Sequence, residues 1–164
     1  MAGSVARRGV YARSLQRLGH KRWFALMVKH GLSKFDRAVY RASGGRVSAS
    51  GSSLPTMLLT TRGRKSGKAR TVPVYYVRDG DNLVAACENF GLDSPSSWPK
   101  NLLANPAARI QIGGSEREYR ARLASAEETA RYMPGLVDIW PAHETYRKRT
   151  GKQYVFVFEP IAPA

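Results

Sequence analysis

The spacing of apolar residues changes character twice along the chain. From residue 4 to 41 apolar side chains recur near every third or fourth position. Val10, Tyr11, Leu15 and Leu18 come first, then a broader face of Trp23, Phe24, Leu26, Met27 and Val28, with Arg7, Arg8, Arg13, Arg17 and Arg22 between them. That is the pattern of a basic amphipathic helix. Gly19 and Gly31 punctuate it, and Ser33 is placed to cap a second short helix through Phe35, Val39 and Tyr40. Arg41 to Ser53, RASGGRVSASGSS, then loses all apolar period and reads as a linker. Beyond it, Met57 to Thr61 and Thr71 to Val77 are apolar, β-branched runs that predict two strands around a polar turn. Asp79-Gly80, inside the turn Arg78 to Asp81, is a hairpin signal leading into a third strand, Asn82 to Cys87.

The second half mixes short helices with strands. Glu88 to Pro95 reads as a loop, and Ser96 or Ser97 caps a helix through Trp98, Leu102 and Leu103 that Pro106 stops. Ala108 to Ile112 and Glu116 to Ala124 form a hairpin about Gly113-Gly114, with Glu116, Glu118, Arg120 and Arg122 facing outward. Ser125 and Glu128 make a capping box for a helix to Met133, which Pro134 is expected to break. Leu136, Val137, Ile139 and Trp140 form a further helical piece, and after Pro141 another carries His143 and Tyr146. Tyr154 to Phe158, YVFVF, is a buried closing strand. Six strands with helices inserted between them predict an α+β domain, a small closed or partly split β-barrel of mainly antiparallel strands. The expected organisation is a helical arm over 1–41, a Gly/Ser linker over 42–53 and the barrel over 54–164.

Composition narrows the function. A chain of 164 residues, 43% hydrophobic, suffices for one core, and no apolar run is long enough to span a bilayer. The single cysteine, Cys87, fits a reducing interior, and the first residues lack an exported leader's apolar stretch, so a cytoplasmic location is expected. His20, His30 and His143 show no metal-ligand spacing. The net charge of +15 is lopsided: residues 1–70 carry 16 Lys and Arg against the single acid Asp36, whereas 71–164 carry 11 of each sign. Such a field draws in a polyanion, whether nucleic acid, an anionic membrane or a charged cofactor. The arm over residues 1–40 either packs on the barrel or touches an anionic membrane surface.

The charge is densest between the first two strands, where Arg62, Arg64, Lys65, Lys68 and Arg70 surround Gly63, Ser66 and Gly67. Five cations in nine residues repel one another, which an anionic ligand would relieve. The glycines let backbone N–H groups turn to such a ligand, and Ser66 adds a donor. A solvated basic turn is the plainer alternative. The turn is not a phosphate-binding P-loop, because Ala69 follows Lys68, and it is not a dinucleotide fingerprint, because it leads into a strand.

Four separated motifs, GRKSGKARTVPVYY, the Asp79-Gly80 turn, NFG at Asn89 to Gly91 and W-x-x-N-L-x-A-N-P from Trp98 to Pro106, together resemble the deazaflavin-dependent nitroreductase family. Its members are split β-barrels related to FMN-binding oxidoreductases, and the resemblance runs over roughly residues 55–160. It implies coenzyme F420, an 8-hydroxy-5-deazaflavin with one phosphate and a polyglutamate tail. It further implies that Arg64, Lys65, Ser66, Gly67 and Arg70 hold the phosphate, and that Thr71, Val72, Pro73 and Val74 lie along the ring. The resemblance also implies that Ala86, Cys87, Trp98 and Asn101 line the same groove. Taken by themselves, Trp98 and Cys87 are better explained as core residues. A reduced deazaflavin donates hydride, so the protein's share is to orient the ring and exclude water, and no nucleophile is required.

The substrate side departs from the family. Where well-studied relatives place three tyrosines three residues apart, this chain has Trp140, His143 and Tyr146, and Glu88 stands where a serine precedes the NFG-like loop. Trp140 and Tyr146 then form an aromatic wall, and His143, Tyr146 or Glu88 supplies the proton that accompanies hydride. Otherwise His143 is a solvated helix residue and Glu88 an exposed loop acid. The resulting expectation is an F420-dependent reductase acting on a small electron-poor acceptor, a quinone, nitroaromatic or conjugated enone. The rivals are an FMN- or haem-binding split barrel and a basic nucleic-acid-binding protein, the latter without any recognition signature in the sequence.

Overall fold

The computed structural model describes residues 54–88, 97–151 and 153–162. The expected arm over 1–41, the linker over 42–53 and the NFG loop at Asn89 to Gly91 lie outside them. In chain order the elements are β1 (Thr56–Arg62), β2 (Ala69–Tyr75), β3 (Val77–Asp79), β4 (Asn82–Cys87), α1 (Ser97–Ala104), β5 (Ala107–Ile112), β6 (Ser115–Leu123), α2 (Ala126–Ile139), α3 (Ala142–Thr150) and β7 (Tyr154–Pro160). All seven strands join one sheet in the order β2-β1-β5-β6-β7-β4-β3, and every pair is antiparallel.

The seventh strand comes from the run Thr71 to Val77, expected as one strand. It divides at Tyr76, with β2 pairing β1 and β3 pairing β4. These are opposite ends of the sheet order, so a one-residue connection forces the two margins together, and the sheet must curl into a barrel. Tyr76 is buried at this corner and its N–H donates to the Pro55 carbonyl at 3.2 Å. β2 returns close to β4, which completes the split barrel.

Strand alternation sorts the side chains onto two faces. Met57, Leu59, Leu83, Ala85, Cys87, Ile110, Tyr119, Phe156 and Phe158 fill the barrel with Trp98 and Leu102 of α1. On the outer face Val84, Ala86, Val155 and Val157 pack against Tyr132 and Leu136 of α2. A third cluster joins Leu54, Trp140, Ala142 and Tyr146 with Tyr75 and Ile139 packed against it.

The Ser125–Glu128 capping box forms as expected, but α2 does not end at Pro134. The proline lies inside a continuous helix to Ile139, where its missing N–H and ring clash cost about 3 kcal/mol. Tyr132 and Leu136, buried on either side of it, offset this, since each fully buried apolar side chain contributes about 1.5–3 kcal/mol. The helix also runs close to the sheet at Gly135, where an added Cβ would meet Val77 Cγ1 at 3.5 Å.

Candidate functional site

The β1–β2 turn is a closed, stiff loop. Gly63 N–H donates to the Lys68 carbonyl at 2.9 Å and Gly67 N–H to the Gly63 carbonyl at 2.7 Å. Gly63 is buried, and a Cβ there would stand 2.8 Å from Ser66 Oγ and 3.2 Å from Lys68 O, while Gly67 has φ of +65°. A side chain at Gly63 would displace the Ser66 hydroxyl and crowd the Lys68 carbonyl, and one at Gly67 would be strained. The turn is tied to the body by Asn101 of α1, only 2% exposed, which accepts from the Arg64 N–H at 3.2 Å and donates to Thr61 Oγ1 at 3.1 Å. Arg62, Arg64, Lys65, Lys68 and Arg70 all project into solvent. Among the described residues none of them has an ion-pair partner.

From this tip β2 runs along the sheet margin. Its registry opposite β1 sets Val72 against Leu59 and Pro73 against Leu58, so successive side chains alternate between faces. Val72 and Val74 pack on the barrel interior, whereas Tyr75 belongs to the outer cluster. Thr71 and Pro73 share the outer face with Tyr75, and Thr71 Oγ1 lies 2.9 Å from Thr60 Oγ1. Four consecutive strand residues thus cannot all offer side chains to one planar ligand. Ala86 and Cys87 divide in the same way, Ala86 toward α2 and Cys87 into the barrel. Trp98 is a core residue, with its ring 5.5 Å from that of Phe156. Pro73 sits where its missing N–H costs least, on an edge strand.

Arg70 to Tyr75 covers about 17 Å at the rise of an extended chain, and β2 ends against a buried corner. The Tyr75 and Trp140 rings lie 5.2 Å apart, tilted by 38°. Tyr146, one helical turn beyond His143, is buried, and burial holds its phenol up at about 12 against a hydrogen bond from Trp140, so it stays neutral. His143 (6% exposed) and Glu88 (3%) are both buried, contrary to their readings as a solvated helix residue and an exposed loop acid. His143 Nδ1 lies 2.7 Å from Glu88 Oε2, and Gln153 Nε2 donates to Glu88 Oε1 at 2.8 Å and approaches Met133 Sδ at 3.2 Å. The ladder explains this meeting. Ala86 opposes Val155 and Cys87 opposes Tyr154, so the next step sets Glu88 across from Gln153, on the face that α2 and α3 cover.

The family model described as F420H(2)-dependent quinone reductase matches residues 31–160. The chain belongs to that family. A candidate F420H(2)-dependent quinone reductase of Mycobacterium tuberculosis is 40% identical over 87 residues, which are 53% of this chain and 73% of that protein. A second protein of that organism, named F420H(2)-dependent quinone reductase, is 33% identical over 93 residues, 56% of this chain and 62% of its own length. Among solved structures, an F420-H2 dependent reductase superposes with a TM-score of 0.59 at 31% identity, covering 64% of this chain and 94% of the other.

The family is described as F420H(2)-dependent, and the tip is both cationic and hinged on glycines. An added Cβ at Gly63 would collide, Gly67 needs its left-handed conformation, and the cations have no protein counterions among the described residues. Asn101, chosen for the sequence motif that carries it, holds the turn as well as bordering it. Sequence reasoning missed Gln153 entirely, although its place opposite Glu88 follows once the β4–β7 registry is known.

Proposed function

We propose that this protein uses reduced F420 to reduce a small, planar, electron-poor acceptor, a quinone first and nitroaromatics or enones by the same chemistry. The observation carrying this reading is the placement of two unlike sites at the two ends of one edge strand: an exposed cationic turn and an aromatic corner. Arg64, Lys65, Ser66, Gly67 and Arg70 would hold the phosphate and Asn101 would keep their turn rigid. Thr71 and Pro73 present the outer face of β2 to the ring, and Val72 and Val74 support it from inside. When bound, the reduced deazaflavin supplies a hydride. The protein orients the acceptor beside Tyr75, Trp140 and Tyr146, where the apolar surroundings exclude water.

Titrating the protein into oxidised F420 should quench or shift its fluorescence at micromolar concentrations. Oxidation of reduced F420 against a panel of naphthoquinones, benzoquinones and nitro compounds should then rank quinones first. Absence of binding at micromolar protein would remove the proposal, and a preference for nitro compounds would redirect its substrate class.

A further inference from the structure

His143 has one nitrogen committed and one that has no partner among the described residues. Nδ1 faces the carboxylate of Glu88, whose other oxygen accepts from Gln153. With Glu88 accepting at both oxygens, Nδ1 would donate to it, leaving Nε2 as the ring's variable atom. Nε2 is buried and makes no hydrogen bond among the described residues. Leaving a buried polar atom unsatisfied costs about 1–3 kcal/mol, and such groups concentrate where a ligand completes them. Trp140 and Tyr146, three residues to either side of His143, belong to the aromatic corner at the end of β2.

We propose that Nε2 of His143 is the atom that meets the acceptor's oxygen and gives it a proton, with Glu88 as the positioning residue that fixes the ring. This rests on the reductase reading above. The balance is simple. A quinone becomes a hydroquinone by taking a hydride, which brings two electrons, and one proton. The new O–H bond forms as the Nε2–H bond of the imidazolium breaks, leaving neutral imidazole whose Nδ1–H still donates to Glu88. Solvent returns the proton between turnovers. Glu88 at the end of β4 faces His143, Gln153 before β7 bonds Glu88 in turn, and Met133 of α2 lies against Gln153. Glu88 is therefore the neighbour that fixes the orientation of the ring. Tyr146, held neutral well above physiological pH, is left as wall and hydrogen-bond partner.

The test compares wild type with His143→Gln and Glu88→Gln, each first titrated with oxidised F420. Unchanged affinity in both variants shows that the coenzyme site is intact, whereas absence of binding in the wild type is a failure of the reductase reading and is seen separately. His143→Gln should lower kcat for menadione reduction by about 10²–10⁴-fold, the usual worth of a positioned general acid, with a smaller change in KM. It should also flatten the fall of kcat at high pH. Glu88→Gln should reduce kcat less than His143→Gln, and menadione should then shift both ring nitrogens of His143 and not Nε2 alone. An independent readout needs no turnover: with ¹⁵N-labelled histidine and no coenzyme, menadione should shift the His143 Nε2 resonance and leave Nδ1 nearly unmoved. Should His143→Gln not fold, the Glu88→Gln kcat and the nitrogen spectrum decide. Wild-type kcat and pH profile in a folded His143→Gln, or an Nε2 resonance indifferent to menadione, would overturn the proposal.

Discussion

The two ends of β2 handle polarity in opposite ways. At the turn five cations stand in water with no carboxylate beside them among the described residues, and the fold tolerates this because solvent screens each charge. At the corner a carboxylate and an imidazole are buried, and there almost every polar atom is matched: Glu88 by His143 and Gln153, His143 Nδ1 by Glu88. Charge without a partner is cheap outside and costly inside. The exposed turn is therefore built for affinity, and can be altered with little effect on the fold. The buried corner is built for geometry, and its alteration is felt by both stability and chemistry.

The largest effect expected from this contrast lies at the turn. Replacing Lys65 and Arg70 together with Ala should weaken F420 binding by about 10²–10⁴-fold, since each charge-assisted hydrogen bond is worth about 1.5–3 kcal/mol. The melting temperature should stay within a degree or two of wild type. A marked fall in melting temperature would break the comparison, because it would mean that the turn cations stabilise the fold.

Gln153→Leu probes the other end. It leaves Glu88 Oε1 without its donor, so urea unfolding should show a loss of about 1–3 kcal/mol while F420 affinity holds. Asn101→Ala sits between the two cases, because its side chain is buried yet it serves the exposed turn. It should cost about 1–2 kcal/mol of stability and several-fold in F420 affinity, and an effect on stability alone would cut Asn101 from the site.

The smallest effect is a control remote from both ends. Ser125→Ala removes half of the α2 capping box and should cost about 1 kcal/mol. Arg122, with the Ser125 N–H, holds Glu128 down at about 2 from an ordinary 4.5. A carboxylate depressed in the folded state stabilises above its unfolded value, and that contribution is lost as pH falls toward 2. Glu128→Gln should accordingly flatten the acid limb of the stability curve below about pH 4.5 and leave F420 binding unchanged, as checked by circular dichroism and fluorescence titration.

Much of the fold was legible because it rests on local rules. Strand alternation, the Asp79-Gly80 turn, the Ser125–Glu128 box and the cationic turn each declare themselves within a few residues. What stayed hidden depends on distant partners. Thr71 to Val77 has uniform strand composition, and only closure of the barrel breaks it at Tyr76. Pro134 reads as a helix terminator until packing on both sides of it carries the helix through. Glu88 and His143 each look solvent-exposed alone, since nothing within ten residues of either shows the other. Parity held a clue for Glu88, which continues the outward series Val84, Ala86. Asn101 was chosen from a motif, but its tie to Thr61 and Arg64 needs α1 laid across the end of β1.

The single-residue link at Tyr76 has one more consequence. Because the chain steps there from one margin of the sheet to the other, β2 is laddered among the described residues to β1 alone, and the amides along it that point away from β1 face no described strand. Deuterium should enter those amides early while their laddered neighbours exchange late. A molecule lying along β2 would act as a missing eighth ribbon, and slower uptake confined to that alternate set would trace its outline without any crystal.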